Sequence, residues 1–381
     1  MSGASAEFWK RGAVSMNKYR FLLIGCGRIS KNHIAAAVAN RAACDLVGVC
    51  DLVRSLAEKK ADDYEAVTGV RPQVYTDYKE ALEELSPDVC VIATESGSHA
   101  EIAIYCIEHK KHVLVEKPMA LSVLDAQRMV KEARYEGVTL GVCHQTRFNA
   151  PVMHLRRAVD TGRFGMVVNG TARILWNRDK LYYRQAPWRG TWAQDGGVLM
   201  HQCLNDIDLL QWCLGGQPET VMAMTGNYLH PIESEDFGAI LIRFHNGAVG
   251  VVEGSVCAYP ENLEETLSVF GEKGTAVIGG VALNTVEMWK FASSLPQDEE
   301  VRELRENAVP DLYGTGHNAL YGDFINALET KKQPLVNGEE AMKSLKIVLA
   351  AYESQKTNKM VSLDDFSFST SNMNESDVRI R

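Results

Sequence analysis

The chain has 381 residues, too many for one ordinary hydrophobic core, so two domains are expected. Hydrophobic residues at 46% and charged residues at 23% describe a globular protein, and a net charge of −9 excludes a basic stripe for nucleic acid. No apolar run approaches the roughly 18 residues that cross a bilayer, and the opening MSGASAEFWKRGAVSMNKYR has no apolar core of a secretory signal.

Residues 1–17 are expected to form a disordered extension, because Met16 stands just before the first strand. The run YRFLLIG (19–25) reads as that strand, followed by helical IAAAVAN. DLVGVCD (45–51) is a second buried strand, with a charged helix RSLAEKKADDYEAV behind it. QVYTDYKEALEEL gives a third strand and a helix capped by Thr76 or Asp77. PDVCVIAT, HVLVEKP and TLGVCHQTRF supply strands four to six, with a helix at His99–Lys110 between the first two. Apolar strands alternating with helices predict a parallel sheet covered on both faces, over residues 18–145.

Beyond residue 163 the rhythm changes. MVVNGTARILW, TVMAMTGNYL, FGAILIRFH, AVGVVEGSVCAY, ETLSVFGE, GTAVIGG and TVEMWKF follow one another with turn signals such as His245-Asn246-Gly247. They predict a large, mainly antiparallel sheet in an α+β domain over 146–365, one face of which a helix at 198–213 can cover. Helices near 318–329 and 338–355 follow, and the Ser/Asn-rich end 366–381 is expected to be disordered. The fold class is therefore α/β, an N-terminal parallel-sheet domain followed by an open, mainly antiparallel α+β domain. The nine scattered cysteines contain no CxxC pair, which reads as reduced thiols in a cytoplasmic protein with neither disulfides nor a metal.

The first strand ends in LIGCGRIS. Gly25 permits the tight turn and Gly27 lets backbone approach a pyrophosphate at the following helix N-terminus, while Ser30 replaces the third glycine. Asp51, ending the next strand, is placed to take the ribose hydroxyls of the adenosine half and disfavours a 2′-phosphate. NAD is the expected cofactor, with NADP less favoured. Arg54, three residues on, is the feature that can neutralise such a phosphate, although an exposed helix residue is its plainer reading. Arg28, Ile29, Thr94, His99 and Glu116 complete the expected cofactor set. Lys117 follows the fifth strand, at the strand ends where ligands of open parallel sheets bind.

DGGVLMHQCLNDIDLLQW (195–212) sets His201, Asn205, Asp208 and Trp212 on one stripe of an otherwise apolar helix. Such a stripe is either a hydrogen-bonded network or a site wall. The preceding WNRDKLYYRQAPWRGTWAQDGG offers Tyr182, Tyr183, Trp188 and Arg189 to stack on a ring and clasp hydroxyls or phosphate, against an oligomer contact or a self-packed lid. Arg147 is a further substrate candidate, or one half of a salt bridge.

GCGRISKNH, VEKP, HQTRFN and DGGVLMHQCLNDIDLLQW, in this order and spacing over about 19–365, resemble the Gfo/Idh/MocA oxidoreductases. The resemblance implies an N-terminal Rossmann dinucleotide-binding domain, a second domain with an open antiparallel sheet, and nicotinamide-dependent oxidation or reduction of sugars and cyclitols, with Lys117 contacting substrate and nicotinamide ribose and assisting proton transfer. It also implies a catalytic histidine three residues before Asp208, where this chain has Asn205. His201, one turn earlier, then replaces it, or Lys117 acts with Asn205 orienting, or catalysis is lost. The YY…APWRGTW pattern is similar to family members acting at C3 of UDP-N-acetylglucosamine or its uronic acid. An inositol or simple-sugar dehydrogenase, a sugar-sensing regulator and an NAD-using glycosidase are the alternatives. The partner expectations are a small sugar or nucleotide sugar, no nucleic acid, no membrane, and a homodimer or homotetramer joined through the C-terminal sheet.

Overall fold

The computed structural model describes residues 18–280, 282–304 and 316–380. The expected extension at 1–17 lies outside the described residues. The chain divides into two compact units, the first taking in residues up to Glu116, Arg128–Gln145 and 315–338, and the second the remainder.

The first unit is a parallel sheet. Its strands are β1 (Tyr19–Ile24), β2 (Cys44–Cys50), β3 (Gln73–Tyr75), β4 (Val89–Ile92), β5 (His112–Glu116) and β6 (Leu140–Cys143), in the order β3-β2-β1-β4-β5-β6. Phe21–Ile24 and Val89–Ile92 are buried at every position, as strands covered by helices on both faces require. The helices are α1 (Ser30–Ala39), α2 (Arg54–Thr68), α3 (Tyr78–Leu85), α4 (His99–Glu108) and α5 (Val123–Glu136, whose first residues belong to the second unit). Asp77 caps α3 by accepting from Lys79 N–H. The order reverses between β1 and β4, which places the ligand crevice of such a sheet at the carboxyl ends of those strands.

The expected domain boundaries are corrected here. The helix Gly316–Thr330, expected in the second domain, belongs to the first unit, because Tyr321 stacks on Phe21 of β1 with ring centroids 5.6 Å apart. Conversely, residues 117–127 belong to the second unit.

The second unit carries α6 (Ala150–Asp160), β7 (Val167–Leu175), α7 (Lys180–Arg184), α8 (Val198–His201) and α9 (Leu204–Leu214). Strands β8 (Pro218–Gly226), β9 (Phe237–Phe244), β10 (Val249–Ser255), β11 (Glu264–Gly271), β12 (Gly274–Gly279) and β13 (Thr285–Phe291) follow. After the long helix Gly338–Thr357, β14 (Val361–Ser362) adds an edge. The sheet runs β13-β12-β11-β7-β10-β9-β8-β14, antiparallel except where β7 meets β10. Burial alternates along β9, with Ile240, Ile242 and Phe244 inward and Leu241 and Arg243 outward. Helix α9 packs against β7, β10 and β11 and buries Leu204, Ile207, Leu210 and Leu214.

Two further expectations are corrected. The helix at 198–213 is two pieces, since Gln202 and Cys203 interrupt it, and both of their amides bond the Val198 carbonyl at 3.0 Å. Residues 366–380 of the tail are ordered. Phe366, Met373 and Val378 are buried, and its Ser and Asn residues serve as capping boxes at Ser369 and Asn374. Three apolar anchors spaced through a polar run outweighed its composition. Among the described residues no helix is long and apolar enough to cross a membrane.

Candidate active site

In the first unit the nucleotide loop is built by sterics. Gly25 has φ +97°, and a Cβ there would lie 2.5 Å from the Ala93 carbonyl, so no other residue fits. At Gly27 nothing lies within 4 Å of such a Cβ, leaving its backbone open to approach. Ser30 Oγ donates to Gly27 O at 2.6 Å and pins the turn. Helix α1 starts at Ile29 without a side-chain cap, which suits its amides to an anion. Arg28 is exposed and Ile29 half-buried on this turn.

Asp51 accepts Cys26 N–H through Oδ2 and Val53 N–H through Oδ1, both at 2.8 Å. Its carboxylate is therefore fixed beside the loop. Arg54 is exposed and paired with Glu58 at 3.0 Å, which favours the plainer reading of that residue. Thr94, two residues beyond β4, is half-buried with its hydroxyl 2.8 Å from Ser98 Oγ. These residues fit a dinucleotide.

Two expected cofactor residues do other work. His99 is buried and its Nε2 lies 3.2 Å from Thr94 O, so it braces the loop from beneath. Glu116 is buried too, with Oε1 3.1 Å from His33 Nε2 and 3.2 Å from His317 Nε2. Burial opposes its charge, yet the hydrogen bonds from His317 and His33 hold the carboxyl well below its ordinary range. Holding two imidazoles, the carboxylate braces the end of β5. His33, Glu116 and His317 also have metal-ligating donor types within reach of one another, as do His230, Asp236 and Cys257.

In the second unit Lys117 and His201 come together. Lys117 Nζ donates to the His201 carbonyl at 2.5 Å. The His201 ring is held on two sides, with Nδ1 2.5 Å from Asp195 Oδ1 and Nε2 3.1 Å from Tyr182 Oη. Burial lowers the His201 pKa below its ordinary value, Asp195 opposes that, and Lys117 and Arg189 add to it. A lowered pKa favours the neutral imidazole, the form a base needs. Arg189 Nη1 donates to Tyr182 Oη at 2.7 Å, and the guanidinium stacks between Tyr182 and Trp188 at 4.4 Å from each ring. Its Nε is buried without a partner among the described residues. Arg178 continues the stack between Tyr182 and Trp176. Trp188 stands 5.9 Å from the His201 ring, and Tyr183 packs edge-on behind Tyr182 at 5.1 Å.

The stripe does not hold together as one wall. The break at Gln202–Cys203 separates His201 from α9, where Asn205 is half-buried one turn on. Asp208 and Arg147, both expected to bind substrate, are 0% exposed and bonded to each other, Nε to Oδ2 at 2.6 Å and Nη2 to Oδ1 at 2.7 Å. Arg147 also lies over the Trp212 ring at 4.7 Å. The salt-bridge reading of Arg147 is the one the packing supports, and Asp208 shares it.

Sequence reasoning missed Asp195, which is buried and bonds Gly190 N–H through Oδ2 at 2.8 Å. Its place in DGG was visible, but nothing in the linear pattern paired it with His201. Glu235 was missed as well. It accepts Leu199 N–H at 2.9 Å and the Tyr352 hydroxyl at 3.0 Å, and burial pushes its pKa up to about 8. Asp206, buried in α9, is pushed up to about 7 by the same cause.

The description "Oxidoreductase family, NAD-binding Rossmann fold" matches residues 19–144, and "GFO/IDH/MocA C-terminal domain" matches 152–277. Among solved structures, the Bordetella pertussis WlbA dehydrogenase in complex with NADH and UDP-GlcNAcA is 38% identical, with a TM-score of 0.84, covering 92% of this chain and 99% of that one. The Chromobacterium violaceum WlbA dehydrogenase, also with NADH and UDP-GlcNAcA, is 34% identical, with a TM-score of 0.82, covering 93% and 98%. The myo-inositol 2-dehydrogenase of Thermotoga maritima is 25% identical over 91% of this chain and 99% of its own length.

Proposed function

This chain belongs to the Gfo/Idh/MocA oxidoreductase family, and from that premise we propose that it oxidises the C3 hydroxyl of a UDP-N-acetylhexosamine or its uronic acid. It is an NAD-dependent oxidoreductase of sugars or polyols. The observation that carries the C3 reading is the full-length similarity to two dehydrogenases crystallised with NADH and UDP-GlcNAcA, well above that to the inositol enzyme. The second unit supports it chemically. Lys117 and Arg189 bring two cations to one cluster, and the buried Nε of Arg189 suits an acceptor on an anionic sugar.

In this reading Gly25, Gly27, Arg28, Ile29, Asp51 and Thr94 hold the dinucleotide. Bound NAD supplies the hydride acceptor. Lys117 and His201 accept and hold the hydroxyl proton, Asn205 orients the sugar oxygen, and Trp188, Tyr182 and Tyr183 form an aromatic wall for the sugar. Oligomer formation belongs to the same proposal, because the outer face of the eight-stranded sheet leaves Met224, Leu241 and Val249 exposed. So does a cytoplasmic setting, which the nine unpaired cysteines fit.

The test is single-turnover reduction of stoichiometric NAD by a panel of UDP-N-acetylglucosamine, its uronic acid, myo-inositol and free hexoses. Reduction by the UDP sugars and not by the others is expected. Reduction by myo-inositol alone would establish the polyol reading, which the inositol enzyme's similarity otherwise favours.

A further inference from the structure

We propose that His230 is a positioning residue for the aromatic wall: doubly protonated between Asp236 and the Arg178 carbonyl, it seats helix α7 and thereby sets the affinity for the sugar. The inference rests on the dehydrogenase reading above.

The hydrogen-bond directions fix the charge of the ring. His230 Nδ1 lies 2.9 Å from Asp236 Oδ2, and Nε2 lies 2.6 Å from the Arg178 carbonyl oxygen. A carboxylate and a carbonyl only accept, so both ring nitrogens donate, and the imidazolium is the form with two N–H groups. Asp236 does not supply the missing proton. It is 0% exposed, and its oxygens already accept the amides of Tyr228, Leu229 and His230 at 2.9, 2.8 and 3.1 Å. Burial opposes its charge, yet the bonds from the His230 ring and from the Leu229 and Tyr228 amides hold the carboxyl below its ordinary value. Around the ring, Tyr183 has its centroid 5.1 Å away and the Cys257 thiol lies in the same cluster. Burial raises the pKa of both, the thiol to about 12, so neither is charged near neutrality. Arg178 turns its guanidinium to Trp176 and Tyr182, at 4.6 and 5.3 Å from their rings.

Helix α7 has little else to hold it, since none of its five residues is fully buried. Upstream, the Trp176 and Arg178 amides bond the Ser255 and Val256 carbonyls, which fixes the chain as far as Arg178. Asp179 then caps α7 by accepting Tyr182 N–H at 2.8 Å. His230 meets this piece twice, at the Arg178 carbonyl before the cap and at the Tyr183 ring within the helix. Loss of the second ring proton turns an Nε2 lone pair toward the carbonyl, because the remaining proton stays at Nδ1 with the anion. The seat of α7 therefore loosens as pH rises, and sugar affinity falls with it. Hydride and proton transfer at C3 do not pass through this ring.

Nitrogen NMR of ligand-free, full-length protein with labelled histidine, assigned by His230→Gln, reads the clasp without substrate. At the acid end of the range in which the protein is folded, His230 should show two hydrogen-bonded N–H groups. Loss of the second as pH rises should coincide with faster amide exchange, relative to the intrinsic rate, in residues 179–185. His230→Gln should speed that exchange about tenfold throughout. With a UDP sugar that is turned over, His230→Gln should raise KM about tenfold at unchanged kcat, the scale of one charge-assisted hydrogen bond. The parent KM should rise with pH where the second ring proton is lost, and the variant should lack that rise. A single ring N–H throughout, unchanged exchange in 179–185, or a lowered kcat at unchanged KM overturns the proposal. If no UDP sugar is turned over but the two N–H groups and the exchange are as stated, the substrate reading fails and His230 still positions α7.

Discussion

Arg147 and Asp208 are bonded bidentately at 2.6 and 2.7 Å, and neither side chain reaches solvent. Each is the other's answer to the cost of burying a charge. Asp208→Ala should therefore destabilise the fold by about 3–5 kcal/mol, since it removes both bidentate bonds and leaves the buried guanidinium only Glu340, 3.5 Å from Nη1. The double replacement Arg147→Met with Asp208→Leu should cost less than Asp208→Ala alone. Denaturant unfolding measures both, and a cost no larger for the single change contradicts the structural assignment.

Asp51 is locked onto the nucleotide loop by Cys26 and Val53 amides, while Arg54 pairs with Glu58. NAD should bind at least about tenfold more tightly than NADP, about 1.4 kcal/mol. Titration of the two cofactors decides it. Equal affinities would mean that Arg54 leaves Glu58 for the 2′-phosphate.

Lys117 Nζ sits on the His201 carbonyl, beside the ring that takes the proton. Lys117→Ala should lower the catalytic rate by about 10²-fold or more, while cofactor affinity changes far less. An unaltered rate at saturating substrate removes Lys117 from the chemistry.

Gly197 and Glu235 are fitted to one another. A Cβ at Gly197 would lie 1.8 Å from Glu235 Oε2, so Gly197→Ala should cost about 1–3 kcal/mol or more. Adding Glu235→Ala to Gly197→Ala should recover less than that loss, since Leu199 N–H and the Tyr352 hydroxyl then lose their acceptor. A full recovery would show that the carboxyl matters only as bulk.

Glu235 also predicts a pH dependence. Burial raises its pKa from 4.5 to about 8, so the folded state holds a proton that the unfolded state releases in that window. Its contribution is full below about 4.5 and is lost as pH rises through about 8. Melting temperature should therefore fall more steeply between about pH 4.5 and pH 8 for the parent than for Glu235→Gln. Parallel curves would contradict a neutral buried carboxyl.

The parts of this protein legible in its sequence are those where local pattern and global role coincide. Strand β1, its glycine turn and Asp51 lie within one stretch of chain, and alternation marks β9 without reference to any neighbour. What stayed hidden depends on long-range pairing. His317 joins Glu116 across 201 positions, a pairing that no local pattern around Lys117 registers. A stripe counted along a regular helix does not register the turn at Gln202–Cys203, which brings His201 beside Asp195 and Tyr182. In the tail, Phe366, Met373 and Val378 are buried by distant partners that composition does not register.

The central claim is hydride removal from C3 of a UDP-N-acetylhexosamine sugar. It is tested most directly with that sugar deuterated at C3 and the reduced nicotinamide examined by mass spectrometry. The account predicts deuterium in the reduced cofactor and a 3-keto sugar product. Deuterium left in the sugar, with cofactor reduced from another carbon or not reduced at all, would contradict it.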